Sequence, residues 1–123
     1  MELFFIGIGG FVGAISRYTI SEWMGVKFNN IIPYGTLTVN IIGSFILGFL
    51  MTYLINKTVV PPFLKMAITT GFLGALTTFS TYTYETIMLL EDKQYFLAGF
   101  NIVTNLLLGL LFVFLGIFLA RTV

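Results

Sequence analysis

The chain has 123 residues, a length that suits one domain. It is 58% hydrophobic and only 9% charged, with a net charge of +1 and a mean hydropathy of +1.01, whereas an average soluble domain is about 25% charged. A water-soluble monomer this small cannot hide so much apolar surface, so the bilayer is the expected solvent; cysteine and histidine are both absent, which excludes disulfides, thiolate metal sites and the usual general base.

The charges cluster. None falls in residues 3–16, 28–56, 66–84 or 94–120, and about 20 apolar residues cross the hydrocarbon core. The expected fold is an all-α membrane protein whose single domain, 1–123, has four transmembrane helices: 3–23, 34–55, 63–90 and 95–120. A barrel would need many more, shorter, alternating segments.

Helix 1 contains "GIGGFVGAISRY", residues 7–18, whose Gly9, Gly10, Gly13 and Ala14 suit close helix approach. It is not expected to be a signal peptide, because no basic segment precedes it and no small-residue cleavage site follows. Arg17 is either a snorkelling cation near a helix end or a buried cation that draws anions.

Helix 2 reads "YGTLTVNIIGSFILGFLMTYLI". Thr36, Asn40, Ser44 and Gly48 recur at spacing four and share one face. The stripe is either a packing seam with an interhelical amide bond or a surface on which Asn40 offers its two donors to water or an ion. The connection "NKTVVPP", 56–62, ends in two prolines suited to a turn before a new helix.

Helix 3 carries "TGFLGALTTFSTYTYE", residues 70–85, in which seven of the eight residues from Thr77 to Tyr84 bear a hydroxyl. Single Ser and Thr hydroxyls can bond back to the preceding turn. So many, just after Gly71 and Gly74, point to a break in helix 3 near Gly74–Thr78. Such breaks are tolerated where the backbone is buried in protein or lines a cavity, and their freed groups can hold ions. Phe79 and Tyr82 share a face flanked by Ser80 and Thr81. An anion would meet the ring edge and a cation the ring face. Glu85 is the first acid after Glu22, and the lack of a carboxylate at mid-depth leans toward an uncharged or anionic permeant.

A short turn, "EDK", 91–93, leads into helix 4, where Asn101, Asn105 and Gly109 again fall at spacing four. With four helices the ends are balanced: Arg17, Lys27 and Lys93 face Lys57, Lys65 and Arg121. The positive-inside rule then states no preference. Either another feature decides orientation, or copies insert both ways and pair antiparallel. Four helices enclose little volume, so oligomerisation is expected on either reading. No His, Cys or close carboxylate pair supports enzyme chemistry, a Ser or Thr nucleophile lacks a base, and no basic run supports nucleic-acid binding.

The pieces "GGFVGAISRY" (9–18), "GTLTVNIIGSFILGF" (35–49) and "GFLGALTTFSTYTYE" (71–85) resemble the Fluc-type fluoride channels of microbes, in order and on three of the four helices. The resemblance covers about a third of the chain. It implies an antiparallel dual-topology homodimer in the microbial plasma membrane, with two narrow pores that pass fluoride down its gradient. It implies that Asn40 lines the pore, that Phe79 presents ring edges, and that Arg17 and Glu85 lie near a vestibule and a pore mouth. Gly74 and Thr77 would give backbone carbonyls from both subunits to one structural sodium ion, a plausible ligand set for a hard cation.

Two positions depart from the family pattern. Tyr82 stands where a second pore phenylalanine is expected. Asn101, Asn105 and Gly109 replace a track that is often tyrosine and serine. Some family members pair two different subunits with one pore degraded, and Tyr82 leaves that open here. Physically, fluoride is strongly hydrated, and hydroxyls and amides can replace its water without the fixed charge that would trap it. Two other classes compete. A small dual-topology multidrug exporter would need a carboxylate near the middle of helix 1, where residues 3–16 have none. A non-transporting membrane subunit would use the seams for packing alone.

Overall fold

The structure, a computed structural model, describes residues 1–28, 32–56 and 59–123. Residues 57 and 58 of the expected 56–62 connection, with Lys57, lie outside the described residues. The described chain is helical and contains no strand: α1 (Glu2–Phe28), α2 (Tyr34–Asn56), α3 (Pro62–Met66), a π-helical stretch (Ala67–Leu73), α4 (Gly74–Leu76), α5 (Phe79–Glu91) and α6 (Tyr95–Thr122).

Among the described residues, three helices are long and apolar enough to cross a membrane: α1, α2 over Tyr34–Leu54, and α6. Their apolar side chains largely face outward. Phe11, Leu110 and Phe114 are each more than 60% exposed, which is the pattern of a protein whose solvent is hydrocarbon rather than water. This is a membrane protein. The buried core is correspondingly small, centred on Val39, Leu73 and Leu76 with Ile20, Ile46, Leu50, Ile68 and Phe72 packed around it.

α1 runs five residues past the expected end at 23. Gly25 alone does not stop a helix, and Lys27 in the last turn complements the C-terminal dipole, as Glu2 does in the first turn. α3 starts at the proline pair. Pro61 is extended at its N-cap and Pro62 occupies the first turn, where a missing N–H costs nothing.

The segment 63–90 is not one helix but a series of shorter stretches. After α3 the chain widens into the π-helical turns, and after α4 it leaves helical geometry. Thr77 (φ −83°, ψ 153°) and Thr78 (φ −148°, ψ 122°) are both extended. Gly74 itself stays helical at φ −63°, ψ −34°, so the interruption falls on the two threonines. α5 then restarts with Thr78 as its N-cap, whose Oγ1 accepts the Thr81 N–H at 3.2 Å.

Small residues decide how closely the pieces approach. α1 packs against the π-helical stretch and α2 against α6. A Cβ on Gly9 would strike the Ala67 carbonyl, one on Gly13 the Phe72 carbonyl, and one on Gly71 the Ile6 carbonyl at 2.5 Å. Across the other pair, Gly48 lies against the Val113 backbone and Gly116 against the Phe45 backbone. These are backbone-to-backbone approaches of the kind small residues permit in membranes.

Candidate functional site

The interruption at Thr77–Thr78 frees backbone groups inside an apolar bundle, where an unpaired N–H or C=O is costly. Asn40 on α2 takes up both ends of Thr78. The Thr78 N–H donates to Asn40 Oδ1 at 2.8 Å, and Asn40 Nδ2 donates to the Thr78 carbonyl at 3.1 Å. The Asn40 oxygen thus replaces the helical acceptor that the Thr78 N–H lacks, while its nitrogen adds a second bond to the N-cap carbonyl at which α5 begins.

The second hydrogen of Asn40 Nδ2 goes to Asn105 Oδ1 on α6 at 3.0 Å. Asn105 Nδ2 donates in turn to the Asn101 carbonyl at 2.9 Å and to Asn101 Oδ1 at 3.0 Å. Asn101 Nδ2 donates to Thr86 Oγ1 at 2.9 Å, and the Thr86 hydroxyl donates to the Tyr82 carbonyl at 2.8 Å. The result is a head-to-tail chain of donors from Thr78 through Asn40, Asn105, Asn101 and Thr86 back to α5. Each bond polarises the next in the same sense. It ties α2, α5 and α6 together around the interruption.

Beside this chain lies a cleft of about 440 Å³ lined by, among others, Asn40, Ser44, Thr77, Phe79, Tyr82 and Asn105. No Lys, Arg, Asp or Glu lines it. Phe79 is 76% exposed, and its ring meets Tyr82 edge-on with centroids 5.7 Å apart. Gly43 admits the Thr77 methyl group, which a Cβ at that position would strike. The Thr77 hydroxyl donates to the Leu73 carbonyl at 2.9 Å.

The residues singled out from sequence are thus distributed over two regions. Asn40, Phe79, Tyr82, Asn105, Gly74 and Thr77 share the cleft. Asn101 does not: it is 1% exposed and lies behind Asn105. Ser80 and Thr81 are exposed beside the Thr78 cap, outside the cleft lining. Arg17 is half-buried on α1 and lines no part of it.

Glu85 belongs to a second cavity, of about 330 Å³, together with Ser21, Thr36, Tyr84 and Asp92. There the Thr36 hydroxyl donates to Glu85 Oε1 at 2.7 Å.

Sequence reasoning missed Thr86. Its position four residues after Tyr82 and seven after Phe79 puts it on their face, but nothing in the sequence pairs it with Asn101.

Gly74 and Thr77 bear on the implied sodium ion. The Thr78 N–H, which would close the helical bond to the Gly74 carbonyl, is turned to Asn40 instead. The extended conformation of Thr77 takes its own carbonyl out of the helical ladder. Two neutral carbonyl oxygens per chain suit a hard monovalent cation, so the residues present fit that group. Among the described residues no cluster of three or more His, Cys, Asp or Glu could hold a metal.

Residues 4–117 match the family described as CrcB-like protein, Camphor Resistance (CrcB). Proteins similar to the chain over most of its length are named fluoride-specific ion channel FluC. One from Syntrophotalea carbinolica is 47% identical over 121 residues, covering 98% of both chains. One from Methanocaldococcus jannaschii is 50% identical over 122 residues, covering 99% of this chain and 96% of the relative. One from Methanococcus vannielii is 55% identical over 104 residues, covering 85% and 83% respectively.

Proposed function

The chain belongs to the CrcB-like family, and on that footing we propose that it is a fluoride-selective passive ion channel of a microbial plasma membrane. It works as an antiparallel dual-topology homodimer with two pores. The observation that carries this reading is the uncharged cleft at the interruption between α4 and α5. Hydroxyls, amides and an aromatic pair converge there without a fixed charge. A small anion can exchange its water for such donors and still leave. A full cationic side chain would hold it, and a carboxylate would repel it.

Several features support the dimer. The basic residues are balanced three against three between the two ends of the bundle. Gly74, Phe79, Ser80 and Thr81 lie exposed on the same segment of a single chain, where a second copy would cover them. The Gly74 and Thr77 carbonyls of two such copies would then hold the sodium ion, which supplies a fixed positive charge to bridge the subunits. Phe79 offers its ring edge to fluoride, Glu85 stands near a pore mouth and Arg17 near the vestibule.

The test is fluoride efflux from liposomes containing the purified protein, read with a fluoride electrode, with chloride efflux followed in parallel. Fast fluoride release with little chloride leak is expected. No release from folded dimers would overturn the homomeric channel and direct attention to a second, different subunit.

A further inference from the structure

Two stripes of exposed side chains run along α5 and α6 and end in opposite charges. On α5, Ser80, Tyr84, Ile87 and Glu91 follow one another at spacings of four, three and four, and all are exposed. On α6, Leu110, Phe114, Phe118 and Arg121 do the same at spacings of four, four and three. Such spacings keep each set on one face of its helix. Neither Glu91 nor Arg121 has an ion-pair partner among the described residues of its own chain. Asp92 and Lys93, beside Glu91 in the turn, cancel, so the α5 stripe ends in a net negative charge.

The two charges stand at matching depths on opposite sides of the interruption. The hydrogen bond between Asn101 and Thr86 sets α6 against α5, and the opposite course of the two helices then brings Gly109 level with Thr78. At about 1.5 Å per residue, Glu91 lies about 18 Å from the interruption toward the α5–α6 turn, and Arg121 about 18 Å from it in the other direction. A two-fold axis in the membrane plane through the interruption exchanges these depths. Arg121 is then level with Glu91 of the partner subunit. By the same operation, Leu110, Phe114 and Phe118 fall within about one residue's rise of Ser80, Tyr84 and Ile87 of the partner subunit. Ser80 exposes its side chain near mid-depth, where lipid offers a hydroxyl no hydrogen-bond partner, so this face calls for a protein neighbour.

We propose that the two stripes dock a second copy of the chain: the α5 stripe of each subunit lies along the α6 stripe of the other, and Arg121 pairs with Glu91 of the partner subunit, twice per dimer. The proposal rests on the antiparallel dimer reading. Exposed ion pairs add little stability; these set register and orientation. In a parallel pair, Arg121 would instead stand level with Arg121 of the partner subunit.

Because the chain has no cysteine, cross-linking of the whole protein in liposomes tests this directly. Variants carrying Glu91→Cys and Arg121→Cys together, or either alone, are treated with a short bifunctional thiol reagent and run on denaturing gels. Within one chain the two positions lie at opposite ends of α6, about 40 Å apart, so the reagent can bridge them only between copies. The double variant should give covalent dimers in most copies, and the single variants almost none. Glu91→Cys with Lys65→Cys, which is at the same end as Arg121 but on α3, should cross-link at least about fivefold less. Glu91→Arg and Arg121→Glu should each weaken dimerisation about fivefold on dilution into lipid, the scale of lost exposed ion pairs, and the two together should restore it.

No cross-link in the Glu91→Cys/Arg121→Cys variant, from a dimeric protein whose thiols label from both sides of the membrane, would overturn the proposal and leave the antiparallel dimer standing. Equal cross-linking through Lys65→Cys would also overturn it, by placing α3 rather than α6 against α5 of the partner subunit. A monomeric protein, or dimers cross-linked through Arg121→Cys alone, would remove the antiparallel reading and this inference together.

Discussion

Asn40 holds both backbone groups of Thr78, and Thr78 is only 8% exposed. Asn40→Ala therefore leaves the buried Thr78 N–H and the Asn105 Oδ1 without partners, at a cost of about 3 kcal/mol. Unfolding in detergent should show that loss, and efflux should be lost with it because the interruption is no longer held. Asn101→Ala removes the support of Asn105 and leaves Thr86 without its donor. Because Asn40 and Asn101 act through one shared neighbour, their substitutions should not add. A double-mutant cycle on melting is expected to give a coupling of about 1 kcal/mol. Additive losses would show that the amide chain is a set of independent bonds.

Two glycines on α6 separate packing from propensity at the element scale. Gly116 abuts the α2 backbone at Phe45, whereas a Cβ on Gly99 meets nothing within 4 Å. Gly116→Ala should force α2 and α6 apart and cost about 2 kcal/mol, as overpacking does. Gly99→Ala should be neutral or stabilise by about 0.5 kcal/mol, because alanine loses less entropy in a helix. Parallel melting curves of the two variants check this, and equal effects would mean that α2–α6 contact does not limit stability. The α5–α6 turn offers a third case. Lys93 sits at φ 58°, the left-handed region that favours glycine. The turn is closed by the Lys93 N–H to the Leu90 carbonyl and the Gln94 N–H to the Leu89 carbonyl. Lys93→Gly should relieve about 1 kcal/mol of strain and raise the melting point of the purified protein.

For the whole molecule, the balance of basic residues carries the prediction. Because the chain has no cysteine, a single cysteine replacing Val123 reports orientation directly. On sealed vesicles a membrane-impermeant thiol reagent should label about half of the copies from either side if the chain inserts both ways. Two further lysines in the α5–α6 turn should shift that labelling strongly to one side and depress efflux, since an antiparallel pair needs both orientations. Labelling from one side only in the unaltered protein would refute dual topology.

The helical class and the membrane setting were legible in the sequence, because hydrocarbon solvent imposes long uncharged runs and those runs can be counted. So were the seams of α2 and α6, since spacing four places Asn40, Ser44, Asn105 and Gly109 on helix faces whatever the partner. Tertiary structure decided what those faces do. Spacing could not reveal that Asn101 is buried behind Asn105, that Thr86 closes the donor chain, or that the chain departs from helix at the two threonines while Gly74 stays helical. Each of these depends on which donor meets which acceptor across elements distant in sequence. A backbone interruption is stable only where a side chain from another helix supplies the missing partners, so the residue that permits it, Asn40, lies 38 positions away from Thr78. The sequence alone determined the solvent and the faces; the packing of α2, α5 and α6 decided which polar groups those faces bring together.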